Sequence, residues 1–343
     1  MSTATATPPY SKDDFVSDQD VRWCPGCGDY AILHAVQKIM PDLGVAPENV
    51  VFVSGIGCSS RFPFYMDTYG FHTIHGRAPC IASGIKAINP DVDLWLVTGD
   101  GDGLSIGGNH LLHTLRRNFR VKILLFNNRI YGLTKGQYSP TSEVGQITKS
   151  SPMGAIDHPV EPVPFAIGAG ASFVARTADN QIKHMEATIR RAAEHDGTAF
   201  VEILQNCVIF NHGTWDGITG REQRTEHQLL LEHGQPLIYG SESQRGIVQR
   251  GFSLAPTILE DGETTAGDCM VHDERMDDPT YAYALSRMGI GSEGPLALGV
   301  LRQVLRPTYE QMHAQEMSTA RAGGEPSLQD MFQGFGKAAT WVV

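Results

Sequence analysis

Two groups of residues in this chain have types and spacings that could perform chemistry. The first begins with a Gly-Asp-Gly-Asp-Gly turn at 99–103, directly after an apolar run of strand length at 94–98. Glycines after a strand let the chain turn sharply and expose backbone N–H groups to an anion. A further apolar run at 121–126 ends in an Asn-Asn pair. At one edge of a parallel sheet, Asp100 and Asn128 can therefore supply oxygen ligands to a hard cation that also holds a diphosphate.

The second group is a set of four cysteines with motif context. Cys24 and Cys27 flank a Pro-Gly turn, Cys58 lies in a Gly-Ile-Gly-Cys-Ser-Ser segment, and Cys207 follows far downstream. Two cysteines around a tight turn can bind one metal centre, and two further thiolates would complete a four-cysteine shell. Zinc and an iron–sulfur cluster both fit this ligand set, and a redox dithiol is a third interpretation of the first pair. The remaining cysteines are expected to be buried as small apolar residues: Cys80 and Cys269.

The first group resembles the thiamine-diphosphate (TPP) binding motif, in which an Asp-containing glycine turn is followed about thirty residues later by Asn-Asn. The resemblance implies that Asp100 and Asn128 bind Mg²⁺ through their side chains and that Ile130 binds it through its backbone carbonyl. It also implies a set of residues that line the diphosphate: Gly101, Asp102, Gly132 and Leu133.

Taken together, the two groups resemble the β subunit of 2-oxoacid:ferredoxin oxidoreductases. The resemblance covers about residues 20 to 215 and includes WCPGCGDY, GIGCSS, HGRAP, the GDGDG helix and NNRIYGLTKGQ. It implies that the four motif cysteines bind one 4Fe-4S cluster beside the thiazolium ring. It also places the following residues near the cofactor: Ile56, Gly57, Cys58, Ser59, His75 and Gly76.

The implied reaction is the reversible oxidative decarboxylation of a 2-oxo acid with coenzyme A, with ferredoxin as the electron acceptor. The overall similarity is nearest to members specific for 2-oxoglutarate, which is converted to succinyl-CoA and CO₂. Arg61, three residues after Cys58, is expected to point toward the cofactor pocket, where a guanidinium suits bidentate carboxylate recognition. Arg61 and His75 are therefore the candidate catalytic residues, although a structural ion pair at the rim is an equal alternative for Arg61.

Other functions stay open at this point. Pyruvate, or a broader range of 2-oxo acids, is the alternative substrate. A non-oxidative TPP decarboxylase with structural zinc is a second alternative, and a non-catalytic, zinc-stabilised scaffold subunit is a third.

One part of a TPP site is missing from the sequence. Activation of the cofactor requires a carboxylate beside the pyrimidine ring, and in this family that Glu comes from another domain or subunit. The chain offers a diphosphate half-site and no convincing pyrimidine half-site. We therefore expect an α subunit that carries this Glu and the coenzyme A site, in a heterodimer or a dimer of heterodimers.

The composition is consistent with a soluble enzyme of the cytoplasm. The formal net charge is −11 and basic runs are lacking, so no nucleic-acid partner is expected. No apolar stretch approaches the roughly 18 residues that cross a membrane, and the N-terminus lacks a signal-peptide core, so no membrane association is expected. Six cysteines, four of them assigned to a metal centre, fit a reducing compartment.

The order of apolar runs predicts an α/β fold with a doubly wound, mostly parallel sheet. We divide the chain into a mobile or partner-bound arm (1–20), a TPP- and cluster-binding domain (21–222) and a C-terminal extension for partner packing or cluster cover (223–343). The core strands are predicted at 50–54, 94–98, 121–126, 173–176 and 199–204. The core helices are predicted at 29–40, 79–89 and 179–195, with one more directly after the glycine turn. The extension is predicted to hold short strands at 236–239 and 251–254 and helices at 295–305 and 308–317.

Overall fold

The computed structural model describes residues 9–259, 264–289, 294–324 and 327–328. Within these ranges the strands are β1 (Val50–Ser54), β2 (Tyr69–His72), β3 (Asp93–Gly99), β4 (Val121–Asn127), β5 (Phe173–Ala178), β6 (Ala199–Leu204), β7 (Gln228–Leu230), β8 (Ile238–Tyr239), β9 (Arg245–Arg250), β10 (Ser253–Ile258) and β11 (Leu296–Gln303). The α-helices are α1 (Asp29–Leu43), α2 (Ala78–Ile88), α3 (Asp100–Leu104), α4 (Gly108–Arg117), α5 (Pro162–Gly168), α6 (Ile182–Glu194), α7 (Asp216–Thr219), α8 (Arg224–His227), α9 (Thr280–Ser286) and α10 (Tyr309–Ala322).

The main sheet has eight strands in the order β2-β1-β3-β4-β6-β5-β11-β7. All neighbouring pairs are parallel except β5 and β11, which are antiparallel. The remaining three strands form a separate antiparallel sheet in the order β10-β9-β8. The predicted α/β class with a doubly wound, mostly parallel sheet is confirmed.

Helices cover both faces of the central strands, which explains why these strands are apolar along their whole length. Alternate residues of β3 and β4 point to opposite faces. Leu96 and Ile123 belong to the cluster that contains Leu111 of α4. Trp95 and Leu124 belong to the cluster on the other face, which contains the apolar residues of α1 and α6. The core is therefore split into two layers by the sheet.

The predicted helix at 295–305 is wrong, because this segment forms strand β11. Leu and Ala favour helices in isolation, but Leu296 to Arg302 are buried between β5 and β7, where strand pairing satisfies the backbone. Gly299, with φ +118°, lies within this segment and disfavours a helix there. Tertiary pairing thus outweighs local propensity at this position.

The described part of the predicted N-terminal arm packs against the core. Lys12–Phe15 forms a short 3₁₀ helix, and the Phe15 side chain is fully buried in the cluster that contains α1. Residues 12–15 therefore do not extend away as a free arm would. Residues 1–8 lie outside the described residues.

The C-terminal extension shares the main sheet with the core. It contributes β7 and β11, and it also forms the small sheet and α10. The predicted helix at 308–317 corresponds to α10, which has Thr308 as its N-cap. The boundary at residue 222 stays a prediction.

Among the described residues, no helix combines the length and apolarity needed to cross a lipid bilayer.

The helix predicted after the glycine turn is interrupted at 105–107, between α3 and α4. The chain of Gly76 comes close at this break, where a Cβ on Gly76 would lie 2.5 Å from the backbone nitrogen of Gly107. The interruption also leaves Ile106 half exposed rather than in the core. The break therefore lets the His75-Gly76 segment reach the end of β3.

Candidate active site

The carboxyl ends of three adjacent parallel strands hold the candidate site. Asp100 follows β3, Asn128 lies one residue beyond β4, and Gln205 follows β6. A cavity of about 440 Å³ opens at this edge. It is lined by Asp29, Ile56, Gly57, Cys58, Ser59, His75, Gly99, Asp100, Gly101, Asp102, Phe126, Asn128, Ile130, Tyr131, Gly132, Leu133, Thr134 and Gln137.

Asp100 is a buried carboxylate held by two hydroxyl groups. Its Oδ2 accepts hydrogen bonds from Ser139 Oγ and Thr141 Oγ1, each at 2.5 Å. Burial raises the pKa of Asp100, and the two hydroxyl donors oppose that shift. Both hydroxyls come from the polar loop after residue 138.

The oxygen of the Asn128 side chain is oriented by its neighbours. Asn128 Nδ2 donates to Gln205 Oε1 at 2.8 Å, and Asn128 Oδ1 accepts from the Ile130 backbone nitrogen at 3.1 Å. Asp100, Asn128 and Ile130 all line the cavity, and their groups include a carboxylate, an amide oxygen and a backbone carbonyl. These are the ligand types that hard cations prefer.

Asp102 joins three segments of the site. Its Oδ1 accepts from the backbone nitrogens of Ile56 at 3.1 Å and Gly76 at 2.7 Å, and it lies 2.7 Å from His75 Nδ1. Its Oδ2 accepts from Thr98 Oγ1 at 2.7 Å. Asp102 thus connects two segments of the wall, and it also lines the cavity.

The glycine at position 101 is required by an aromatic neighbour. Tyr131 Oη donates to the Gly101 carbonyl at 2.9 Å, and a Cβ on Gly101 would lie only 2.3 Å from the Tyr131 ring. A side chain at 101 would therefore displace Tyr131. Glycine at position 101 therefore leaves room for the Tyr131 ring beside α3.

A second cavity of about 200 Å³ adjoins the first. Its wall includes all four motif cysteines: Cys24, Cys27, Cys58 and Cys207. Five residues line both cavities: Asp29, Cys58, Asn128, Gly132 and Leu133. The two groups of residues identified in the sequence are therefore separated only by a shared wall.

Three of the cysteines in this second cavity, Cys27, Cys58 and Cys207, are partly buried, whereas Cys24 is exposed. Burial raises the pKa of Cys27 well above its usual range and raises the pKa of Cys58 to about 12. Burial also raises the pKa of Asp29 to about 7, and the nearby Asp179 adds to this shift. Within the described ranges, no three His, Cys, Asp or Glu side chains are arranged to hold a single metal ion.

Two residues that were predicted to lie at the TPP pocket lie away from the first cavity. Gly76 is not in its wall and instead donates its N–H to Asp102. Arg61 lines the cysteine cavity rather than the pocket toward which it was expected to point, and its Nη1 donates to the Arg22 carbonyl at 2.7 Å. The other predicted residues line one or both cavities.

Cys80 is exposed, so its predicted burial is wrong, whereas Cys269 is buried as expected.

Several site residues were missed in the sequence. Ser139 and Thr141 lie about forty residues after Asp100 in a loop without periodicity, and only the fold brings them to it. Gln205 directly precedes the Asn-Cys pair at 206–207, and its place at the end of an apolar strand was the available signal.

The fold and the site define the class of thiamine-diphosphate-dependent enzymes. Residues 55–203 match the family described as "Thiamine pyrophosphate enzyme, C-terminal TPP binding domain". The chain is 50% identical over 342 residues to the 2-oxoglutarate oxidoreductase subunit KorB of Mycobacterium tuberculosis, covering 99% of this chain and 90% of that protein. It is 45% identical over 189 residues to the β subunit of 2-oxoacid:ferredoxin oxidoreductase 1 of Aeropyrum pernix, covering 55% of this chain and 59% of that protein.

A solved structure is similar along nearly the whole chain. It is the 2-oxoglutarate:ferredoxin oxidoreductase from Magnetococcus marinus with 2-oxoglutarate, coenzyme A and succinyl-CoA bound, at a TM-score of 0.74 and 32% identity, with 94% of each chain covered. The chain belongs to the family of β subunits of 2-oxoglutarate:ferredoxin oxidoreductases. It is thus part of an oxidoreductase that works with an α subunit, and the predicted TPP-binding fold is confirmed.

The role of Asp102 in connecting two wall segments can be tested by substitution. Asp102→Ala removes the acceptor of three N–H groups, and a hydrogen bond to a charged group contributes about 1.5–3 kcal/mol. We expect TPP affinity in the presence of Mg²⁺ to fall at least about tenfold, measured by calorimetric titration of the assembled complex. Asp157→Ala is the matched control, because Asp157 is exposed and accepts from Tyr138 at the surface. Wild-type affinity in Asp102→Ala would contradict this role of Asp102.

Proposed function

We propose that this chain supplies the TPP half-site and the first electron acceptor of a 2-oxoglutarate:ferredoxin oxidoreductase. The complex would carry out the reversible oxidative decarboxylation of 2-oxoglutarate with coenzyme A to succinyl-CoA and CO₂, with electrons passing through one 4Fe-4S cluster to ferredoxin. The observation that supports this most strongly is the wall shared by the two cavities. A redox centre can accept electrons from a neighbouring cofactor only when the two lie close together.

The first cavity fits TPP with Mg²⁺. Asp100, Asn128 and the Ile130 carbonyl would bind the Mg²⁺ ion, because they provide hard oxygen ligands at one edge of the sheet. The cofactor would be lined by Ile56 to Ser59, His75, Gly101, Asp102, Gly132 and Leu133. Gly76 lies outside the cavity wall and would contribute indirectly, by donating its N–H to Asp102. When bound, TPP supplies the carbanion that attacks a 2-oxo acid and the electron sink after CO₂ leaves.

The second cavity fits a 4Fe-4S cluster. Cys24, Cys27, Cys58 and Cys207 would be its ligands, and a bound metal would deprotonate the Cys27 and Cys58 thiols, whose pKa burial raises. Four thiolates that bind one zinc ion must each lie about 2.3 Å from the same point, whereas each cysteine of a 4Fe-4S cluster binds a different iron. Iron content and the visible absorption spectrum therefore distinguish the proposed cluster from a zinc ion.

Arg61 is proposed to bind a carboxylate of the substrate. Its Nη1 donates to the Arg22 carbonyl, and Arg61 has no carboxylate partner within the described part of the chain. A guanidinium has five N–H donors, so the remaining donors can bind a carboxylate near Cys58. The lack of an acidic partner weakens the alternative of a structural ion pair. The distal carboxylate of 2-oxoglutarate is the proposed ligand, and pyruvate is the alternative substrate.

The remaining parts of the reaction are assigned to partners. The α subunit would provide the Glu beside the pyrimidine ring and the coenzyme A site, in a heterodimer or a dimer of heterodimers. Ferredoxin would accept the electrons, and the complex would work in the cytoplasm. The domain of residues 21–222 would hold both cofactors, and the extension (223–343) would serve partner packing or cluster cover.

Iron content tests the cluster assignment. Cys207→Ala in the assembled complex should lose most of the iron and the visible absorption that bleaches with dithionite, because one cluster ligand is removed. Cys80→Ala is the matched control and should keep both, since Cys80 is exposed and lies outside the cysteine cavity. Full iron in Cys207→Ala, or a colourless wild-type complex with stoichiometric zinc, would refute the assignment.

Substrate comparison tests the role of Arg61. Losing a hydrogen bond to a charged group costs about 1.5–3 kcal/mol, which corresponds to a roughly ten- to hundredfold effect. Arg61→Met should lower kcat/KM for 2-oxoglutarate by about this factor in coenzyme-A-dependent ferredoxin reduction. Pyruvate should be affected much less, because it has no second carboxylate. An equal loss for both substrates would assign Arg61 to the shared carboxylate or the cofactor, and no loss would exclude substrate binding.

A further inference from the structure

We propose that Gln205 is a positioning residue that connects the two cofactor sites. It would raise the reduction potential of the cluster through Cys27 and orient Asn128 at the Mg²⁺ site. The first half of this inference rests on the proposed function, because it requires Cys27 to be a cluster ligand. The second half concerns the TPP half-site and is independent of the cluster.

The side-chain amide of Gln205 contacts one residue of each site. The residue is almost fully buried, with 1% of its surface exposed. Its Nε2 donates to Cys27 Sγ at 3.3 Å and to the Asn206 carbonyl at 2.7 Å. Its Oε1 accepts from Asn128 Nδ2 at 2.8 Å. One amide therefore spans the wall between the cysteine cavity and the TPP cavity.

Neighbouring groups fix the orientation of this amide. A backbone carbonyl such as that of Asn206 can only accept a hydrogen bond, so it must face the NH₂ group of Gln205. The same NH₂ group faces Cys27, and the oxygen of Gln205 must then face Asn128. Asn128 in turn directs its NH₂ group toward Gln205 and its oxygen away from it, toward Ile130. Gln205 thereby determines which atom of Asn128 is available to a cation.

The backbone holds Gln205 in this position. Its N–H donates to the Asn127 carbonyl at 2.9 Å, which extends the pairing of β4 with β6 by one residue. The side chain cannot shift without breaking contacts on both sides. Because it is buried, water cannot readily replace the N–H donor at the sulfur.

A hydrogen bond to a ligand sulfur stabilises negative charge on that sulfur. Adding one electron to a metal–thiolate centre increases this charge, so an N–H donor favours the reduced form and raises the reduction potential. Removing the donor should therefore make the potential more negative. A purely structural role for Gln205 would not produce a shift in this direction.

The test uses Gln205→Met in the complete complex. We expect a more negative cluster midpoint potential in a dithionite titration monitored by EPR. We also expect about fivefold weaker TPP binding with Mg²⁺, since one neutral hydrogen bond contributes about 1 kcal/mol. Gln228→Met is the matched control, because Gln228 is also buried and its amide also donates to a carbonyl and accepts from a side-chain amide, away from both cavities.

A second variant separates the two contacts. Burial favours the neutral form of Gln205→Glu. Its single O–H can donate to the Asn206 carbonyl and its other oxygen can accept from Asn128, but no donor then faces Cys27. This variant should therefore lower the potential and leave TPP affinity within about twofold of wild type. If Gln205→Met fails to hold the cluster, the midpoint potential of Gln205→Glu decides whether Gln205 influences the cluster. An unchanged potential in iron-replete variants, or an equal shift in Gln228→Met, would overturn the inference. A wild-type complex without iron would instead overturn the proposed function, and TPP binding by Gln205→Met would still decide the role at Asn128.

Discussion

The site depends on the alignment of three parallel strand ends. β3, β4 and β6 are adjacent, and their register brings Asp100, Asn128 and Gln205 to one edge of the sheet. Their apolar residues are buried on both faces. A one-residue slip would turn every side chain to the opposite face and disrupt the packing of both layers, so it is strongly disfavoured. The geometry of the polar groups is thus set by the packing of the hydrophobic strands behind them.

Buried polar groups connect the sheet to the cavity through hydrogen bonds and thereby fix the positions of the cavity residues. Glu202 of β6 accepts from Asn127 Nδ2 at 2.7 Å and pairs with Arg176 of β5 at 2.6 Å, and both members of this ion pair are fully buried. Asn127 Oδ1 also accepts from Thr141, which donates to Asp100. Removing one partner of a buried pair leaves an uncompensated charge and is costly. The network therefore restricts the Asn-Asn pair to one arrangement at the cavity.

Much of the fold and the site could be predicted because their signals are local. The strands at 50–54 and 199–204 agree with the structure, as their apolar runs are short and clearly bounded. The glycine turn and the cysteine motifs combine residue types and spacing that few other functions require.

Contacts that depend on tertiary structure were not predictable in this way. β11 has a helix-like composition, Ser139 and Thr141 lie in an aperiodic loop, and Arg61 points toward the cysteine cavity because Ser59–Tyr65 forms a 3₁₀ helix after Cys58.

The central claim is that one chain holds a TPP half-site and an iron–sulfur cluster on opposite sides of a shared wall. Anomalous diffraction at the iron absorption edge, from crystals of the complex grown with TPP and Mg²⁺, tests it most directly. We expect an iron peak in the cavity of Cys24, Cys27, Cys58 and Cys207, next to electron density for a diphosphate beside Asp100 and Asn128. An iron peak only in another subunit, or a single zinc ion among these cysteines, would contradict it.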